Sequence, residues 1–170
     1  MGTGSSSSMG VGSLKELYLA ELGDLYDAET QKMLTLARLS ELSRTPELRE
    51  ALTRQCVAAR LHLERLELIF THWSEVRHGR RCMGLAGIVQ EADSRVNAAT
   101  TDVARDAAII GAARGISHYE IAAYGVACMY ARWLNRMDDA RLLEETLDEK
   151  ERADRRLTDI AEARVGASAA

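Results

Sequence analysis

Apolar positions recur at steps of three and four through most of the chain, the period of one helical face. In the segment from Asp106 to Leu134, Ile109, Ala113, Ile116, Glu120, Ala123 and Ala127 fall on one such face. Earlier in the chain, Leu14, Leu22, Leu25, Glu29, Met33 and Leu36 form a stripe that predicts a first helix over 13–42. Ser13 and Glu16 supply a capping box at its start, each satisfying one orphan N–H of the first turn. Thr45-Pro46 reads as a cap followed by proline at the first helical position, opening a second helix over 46–74. Its stripe is Leu48, Leu52, Gln55, Ala59, His62, Leu66 and Ile69. A shorter helix over 84–98 follows, then a long one over 102–134. Asn135-Arg136-Met137 makes a tight connection to a last helix over 138–163, with Leu142, Thr146, Glu149, Ala153, Leu157 and Ile160 as its stripe. Asp138 and Asp139 complement the dipole at its start.

Four long helices, with the one long connection (75–101) carrying a short helix, predict an all-α, ferritin-like antiparallel four-helix bundle. Residues 1–12, rich in Gly and Ser, read as a disordered tail or an expression scar. Residues 13–163 form the bundle, and 164–170 a frayed end.

Composition narrows the function. A net charge of −4 gives no electrostatic case for nucleic acid, and no apolar run is long enough to span a membrane. Cys56, Cys82 and Cys128 match neither a disulfide framework nor a zinc pattern, so reduced thiols in a cytoplasm are expected. The basic run Arg77-His78-Gly79-Arg80-Arg81 reads as a solvated loop.

The chemistry lies in Glu29, Glu120 and Glu149, carboxylates inside the apolar stripes of three different helices. Such groups need hydrogen bonds, counter-charges or a metal. Di-metal carboxylate bundles place glutamates this way, with Glu-x-x-His on two of the helices, a motif this chain lacks. Iron or manganese suits oxygen and imidazole ligands. His62, on an inward stripe, reads as a satisfied core histidine ahead of a ligand. His118 reads as a rim histidine, since two residues from Glu120 it points elsewhere on the helix. If the three carboxylates converge with no Arg or Lys among them, some are protonated or a cation is bound. Glu120→Gln would then destabilise a metal site and stabilise an empty one.

Several strings resemble the YciE/YciF-type ferritin-like proteins of bacteria. They are Leu14-Lys15-Glu16-Leu17, Asp24-Leu25-Tyr26-Asp27-Ala28-Glu29, Glu64-Arg65-Leu66-Glu67, Arg105-Asp106-Ala107-Ala108, His118-Tyr119-Glu120-Ile121-Ala122-Ala123-Tyr124-Gly125 and Leu143-Glu144-Glu145-Thr146-Leu147-Asp148-Glu149. The resemblance covers 13–163. It implies a homodimer, a di-iron or manganese centre and a link to stress responses, with peroxide or oxygen as the substrate if the protein is an enzyme. It also implies Glu91 as a ligand beside Glu29, Glu120 and Glu149. The chain departs from the family pattern at Gln55, where a histidine is usual, and at Ala58, Ala86, Gln90, Ser117 and Lys150, where acidic residues are usual. Each departure removes a ligand type or a negative charge. Two readings follow: a metal-binding stress protein with a depleted ligand set, or a metal-free descendant serving as an oligomerisation or protein-interaction module. A storage cage is a weaker third, because no iron-entry cluster is visible. For the homodimer, the fourth long helix and Trp73, Tyr130 and Trp133 are the expected contact.

Overall fold

The computed structural model describes residues 12–75 and 81–165. Most of the Gly/Ser-rich start, residues 76–80 (which take in the first four of the basic run), and the last five residues lie outside that range. The elements are α1 (Leu14–Leu42), α2 (Pro46–His72), α3 (Met83–Ala98), α4 (Asp102–Trp133) and α5 (Met137–Ile160), the last continuing into a π-helical turn, Ala161–Val165.

The capping box forms as expected: Glu16 N donates to Ser13 Oγ, and Ser13 N to the Glu16 carboxylate. Thr45 behaves differently. Its hydroxyl does not cap α2; it donates to Asp106 Oδ2 at 2.6 Å. Asp106 also accepts from Arg44 N at 2.9 Å and Thr45 N at 2.8 Å, so one buried carboxylate on α4 fixes the α1–α2 turn. At the other end of the bundle, fully buried Asp139 accepts from His72 Nδ1 at 2.7 Å and Trp73 Nε1 at 2.9 Å. Trp73 packs with its ring tilted against that of Tyr18, and Lys15 and Arg136 both lie over it. Asn135 closes the α4–α5 turn at φ 56°, a left-handed position its short amide side chain tolerates.

Around the bundle the neighbours are α1 with α2, α2 with α5, α5 with α4, and α4 with α1. Cross-contacts run in opposite register: Glu29 meets Tyr124 while the α1–α2 turn meets Asp106, and His62 meets Glu149 while His72 meets Asp139. Adjacent helices are therefore antiparallel, and the α2-to-α4 connection must travel the length of the bundle. Along that path α3 packs on α4. Asp27 Oδ2 holds its start by accepting from Cys82 N at 2.7 Å. Gly84 is needed there, since a Cβ would come within 2.8 Å of the Tyr119 ring.

The apolar core falls into two parts. One is built on Leu36, Leu39, Leu52, Ile109, Ile116 and Leu157; the other on Tyr18, Leu22, Leu66, Ile69, Tyr124 and Leu143. Between them lies a layer of buried polar side chains, and that layer is the candidate site.

Candidate functional site

Each long helix contributes to the layer through a position at core spacing. Glu29 and Lys32 come from α1, Gln55 and His62 from α2, Ser117 and Glu120 from α4, and Thr146 and Lys150 from α5, all buried. Glu149 and Arg65 flank them, partly exposed.

Glu29, Glu120 and Glu149 do converge, but cations stand among them. Lys150 Nζ lies 2.6 Å from Glu29 Oε1 and 2.9 Å from Glu120 Oε2. Lys32 Nζ lies 2.5 Å from Glu29 Oε2 and 3.3 Å from Glu120 Oε2. Both ammonium groups thus bridge the same two carboxylates. These approaches satisfy ion pairing by distance, yet Lys150 Nζ, Glu29 Oε2 and Glu120 Oε1 have no partner at hydrogen-bonding angles. Charge is balanced here more completely than hydrogen bonding.

His62 links this pair of pairs to the rim, with Nδ1 3.0 Å from Glu29 Oε1 and Nε2 2.8 Å from Glu149 Oε2. Arg65 grips Glu149 with two parallel N–H donors, at 2.9 and 2.8 Å, and also donates to Thr146 Oγ1 at 3.1 Å. A fork of this kind is among the stronger carboxylate contacts. Tyr124 OH donates to Glu29 Oε1 at 2.9 Å. Three carboxylates therefore face three basic side chains: Lys32, Lys150 and Arg65.

Electrostatics follow the geometry. Burial disfavours ionised Glu29, but Lys150, Lys32 and His62 outweigh it and hold its carboxyl well below the usual range. The Arg65 hydrogen bonds, against some burial, hold Glu149 low as well. Burial works against the charge of Lys32 too, yet Glu120 and Glu29 raise its ammonium above the ordinary lysine value. Lys150 goes the other way: burial, helped by neighbouring Lys32, pulls it down despite the same two carboxylates. Burial and Glu29 push Tyr124 up.

Not all expected site residues belong here. Glu91 sits on the exposed face of α3, paired with Arg95 in its own helix. His118 is exposed on α4, 3.3 Å from Asp154. Both are removed from the layer, because α3 lies outside the four-helix square and His118 faces away from Glu120. His62 is in the layer, as a core histidine between two carboxylates. Among the described residues, no three His, Cys, Asp or Glu side chains form a group suited to hold a metal. The donor chemistry gives the reason. The oxygens of Glu29 and Glu120 that face each other already carry ammonium groups, and Gln55 and Ser117 present weaker donors on the remaining sides. The residues present do not fit a di-metal centre.

Sequence reasoning did not reach Lys32 at all and reached Lys150 only as a departure from the family pattern, not as a counter-charge; both had a further signal. Lys32 falls between Leu25, Glu29 and Leu36, Leu39 at core spacing. On α5 the buried seam is Leu143, Thr146, Lys150, Asp154 and Leu157, one position on from the expected Leu142, Glu149 and Ala153. Lysine is also rare here: the chain has only Lys15, Lys32 and Lys150 among its 22 basic residues, and two of the three are in this layer.

Residues 13–170 match the family described as a domain of unknown function, DUF892. The chain is 31% identical over 154 residues to Protein YciF of Escherichia coli, covering 90% of this chain and 93% of that one. The crystal structure of that stress protein superposes with a TM-score of 0.87 at 30% identity, over 92% of this chain and 99% of the other. YcfI of Rhodopseudomonas palustris, provisionally ascribed a structural role, gives 0.86 at 30% identity, over 89% and 96%. A protein of Xanthomonas campestris shares the fold at 0.73 and 18% identity, over 91% and 95%.

Proposed function

The chain belongs to the DUF892 family, and from that premise we propose that it is a metal-free ferritin-like bundle whose polar layer is neutralised by its own lysines. The observation that carries this reading is the pair of ammonium groups, Lys32 and Lys150, each in contact with both Glu29 and Glu120. They supply the positive charge that bound metal ions would otherwise bring. Iron or manganese would have to displace both lysines from a buried layer and leave two cations without counter-charges. A di-metal oxidoreductase acting on peroxide or oxygen is therefore the less favoured reading.

The bundle then acts through its surface, as an oligomerisation or protein-interaction module. Leu34, Val57, Leu61 and Leu68 are all exposed on the α1–α2 hairpin. Val57, Leu61 and Leu68 lie on one stripe of α2 at helical spacing, and the contact of Cys56 Sγ with Met33 O sets Leu34 level with Val57. A second copy of the chain is the proposed occupant of that face. α4 adds a smaller exposed group, Met129 and Trp133, near its end. Elemental analysis of protein purified without added metal tests the first half of the reading. Iron and manganese should be far below one atom per chain; a stoichiometric metal would overturn it.

A further inference from the structure

Three helices repeat one small arrangement in the polar layer. Gln55 is followed three positions on by Ala58 and Lys150 by Ala153, and Glu120 is preceded by Ser117. Residues three apart stand side by side on a helix face, so each long polar side chain has a short one next to it. The shortfall in volume collects as a cavity of about 30 Å³, which all six residues line. Gln55, Glu120 and Lys150 are 9%, 1% and 4% exposed. Each carries an atom without a partner at hydrogen-bonding angles: Gln55 Nε2, Glu120 Oε1 and Lys150 Nζ. Buried polar groups are nearly always hydrogen-bonded, so three orphans around one cavity call for a shared partner.

We infer that this cavity is a binding site for water, one or two molecules that complete the hydrogen bonding of the layer. The inference rests on the reading that lysines, not metals, neutralise the layer. The lining chemistry selects the ligand. Gln55 Nε2 and Lys150 Nζ are donors, whereas Glu120 Oε1 is an acceptor. Their shared partner must therefore accept at least two hydrogen bonds and donate at least one. A small anion accepts but cannot donate, and it would face the Glu120 carboxylate. A cation would face the Lys150 ammonium and the Gln55 N–H groups. Water does both, and the size agrees. About 30 Å³ holds about two waters, each of which needs two to four polar contacts.

Lys150 Nζ is 2.9 Å from Glu120 Oε2, so the ammonium and the other oxygen of that carboxylate are close neighbours. One water can span them, accepting from Lys150 and donating to Glu120. The ammonium stays charged throughout. Glu29 and Glu120 balance that charge, and the water takes up an N–H that their angles leave unpaired. A second contact of the same water, or a second molecule, reaches Gln55 Nε2. Ser117 lines the cavity too, and its hydroxyl can donate or accept. A trapped dipole also eases the burial of the four charged groups, Glu29, Lys32, Glu120 and Lys150.

The test is a high-resolution crystal structure of the full chain, with the melting temperature of Gln55→Met beside it. The density should place a water oxygen about 2.7–3.2 Å from both Gln55 Nε2 and Lys150 Nζ. Gln55→Met keeps the side chain's length and removes its donors. With water bound, that change takes a partner from the water. The melting temperature should then fall by about 2–4 °C, the shift that losing roughly one hydrogen bond brings in a chain of this size. In a dry cavity the same change would remove an orphaned donor, and the variant would melt higher than the parent. If the variant does not fold, the parent's density still decides. A cavity closed by repacking, or one without density, overturns the inference, as does a variant that melts higher. Anomalous scattering at the iron or manganese edge separates the two levels of the account. A metal signal in the layer removes the lysine reading beneath, whereas a dry, metal-free cavity removes the water site alone.

Discussion

Lys32 and Lys150 change the sign of what a substitution at Glu120 does. Three converging carboxylates without cations would gain stability from Glu120→Gln. Here each lysine depends on Glu120 as one of its two counter-charges. Removing that charge leaves a buried cation undercompensated, and breaking one side of a buried pair costs roughly 3–5 kcal/mol. Glu120→Gln should therefore lower the urea midpoint, and adding Lys150→Met to it should recover much of the loss. A variant more stable than the parent would contradict the pairing. Acid should act through the same residues. The carboxyls of Glu29 and Glu149 are held below their ordinary values in the fold. Their stabilisation is complete above the unfolded glutamate value of about 4.3 and is lost as pH falls through the lower folded values. Stability followed downward from neutral pH should thus hold, then decline below about pH 4.3, as the unfolded chain takes up protons that the fold refuses. Glu149→Gln should shrink that decline.

At the scale of the elements, two acidic clamps fix the ends of the bundle. Asp106 accepts three hydrogen bonds from the α1–α2 turn. Hydrogen bonds to a charged group contribute about 1.5–3 kcal/mol each, and they are not additive. Asp106→Ala should cost roughly 3 kcal/mol in denaturant unfolding, far more than a surface alanine substitution. Gly84→Ala tests the seating of α3, because the added methyl must displace the Tyr119 ring. It should weaken protection of the α3 amides from hydrogen exchange while leaving the four long helices protected. Helix boundaries were legible in the sequence to within about three residues, because periodicity, the capping box and Pro46 all act locally. Clamps were not legible. Asp106 and Asp139 derive their role from partners 61 to 67 positions away, which no local pattern reports. The α5 seam was misread by one position for a similar reason. Leu142 and Leu143 both begin a helical stripe, and only packing against α2 and α4 decides between them. That one-position difference hid the role of Lys150 as a counter-charge, and with it the charge balance of the layer.

For the whole molecule, the bundle, its crossover and its family were visible from strings such as His118 to Gly125. Whether the carboxylates meet a metal or a lysine was not, since each helix shows only its own face. The exposed hairpin stripe gives the molecule its proposed partner, a second copy. Sedimentation should find a dimer at micromolar concentration, and Leu61→Glu should shift it to monomer while Trp133→Glu should not. A monomeric parent would reject that part of the account.

The claim on which the rest depends is that lysines rather than metal ions neutralise the polar layer. Its most direct test is the melting temperature of the parent chain with chelator and with added Fe(II) or Mn(II), since a ligand that binds only the folded state must raise it. The account predicts the same melting temperature in all three conditions. A rise with either metal, abolished by chelator and by Glu120→Gln, would contradict it.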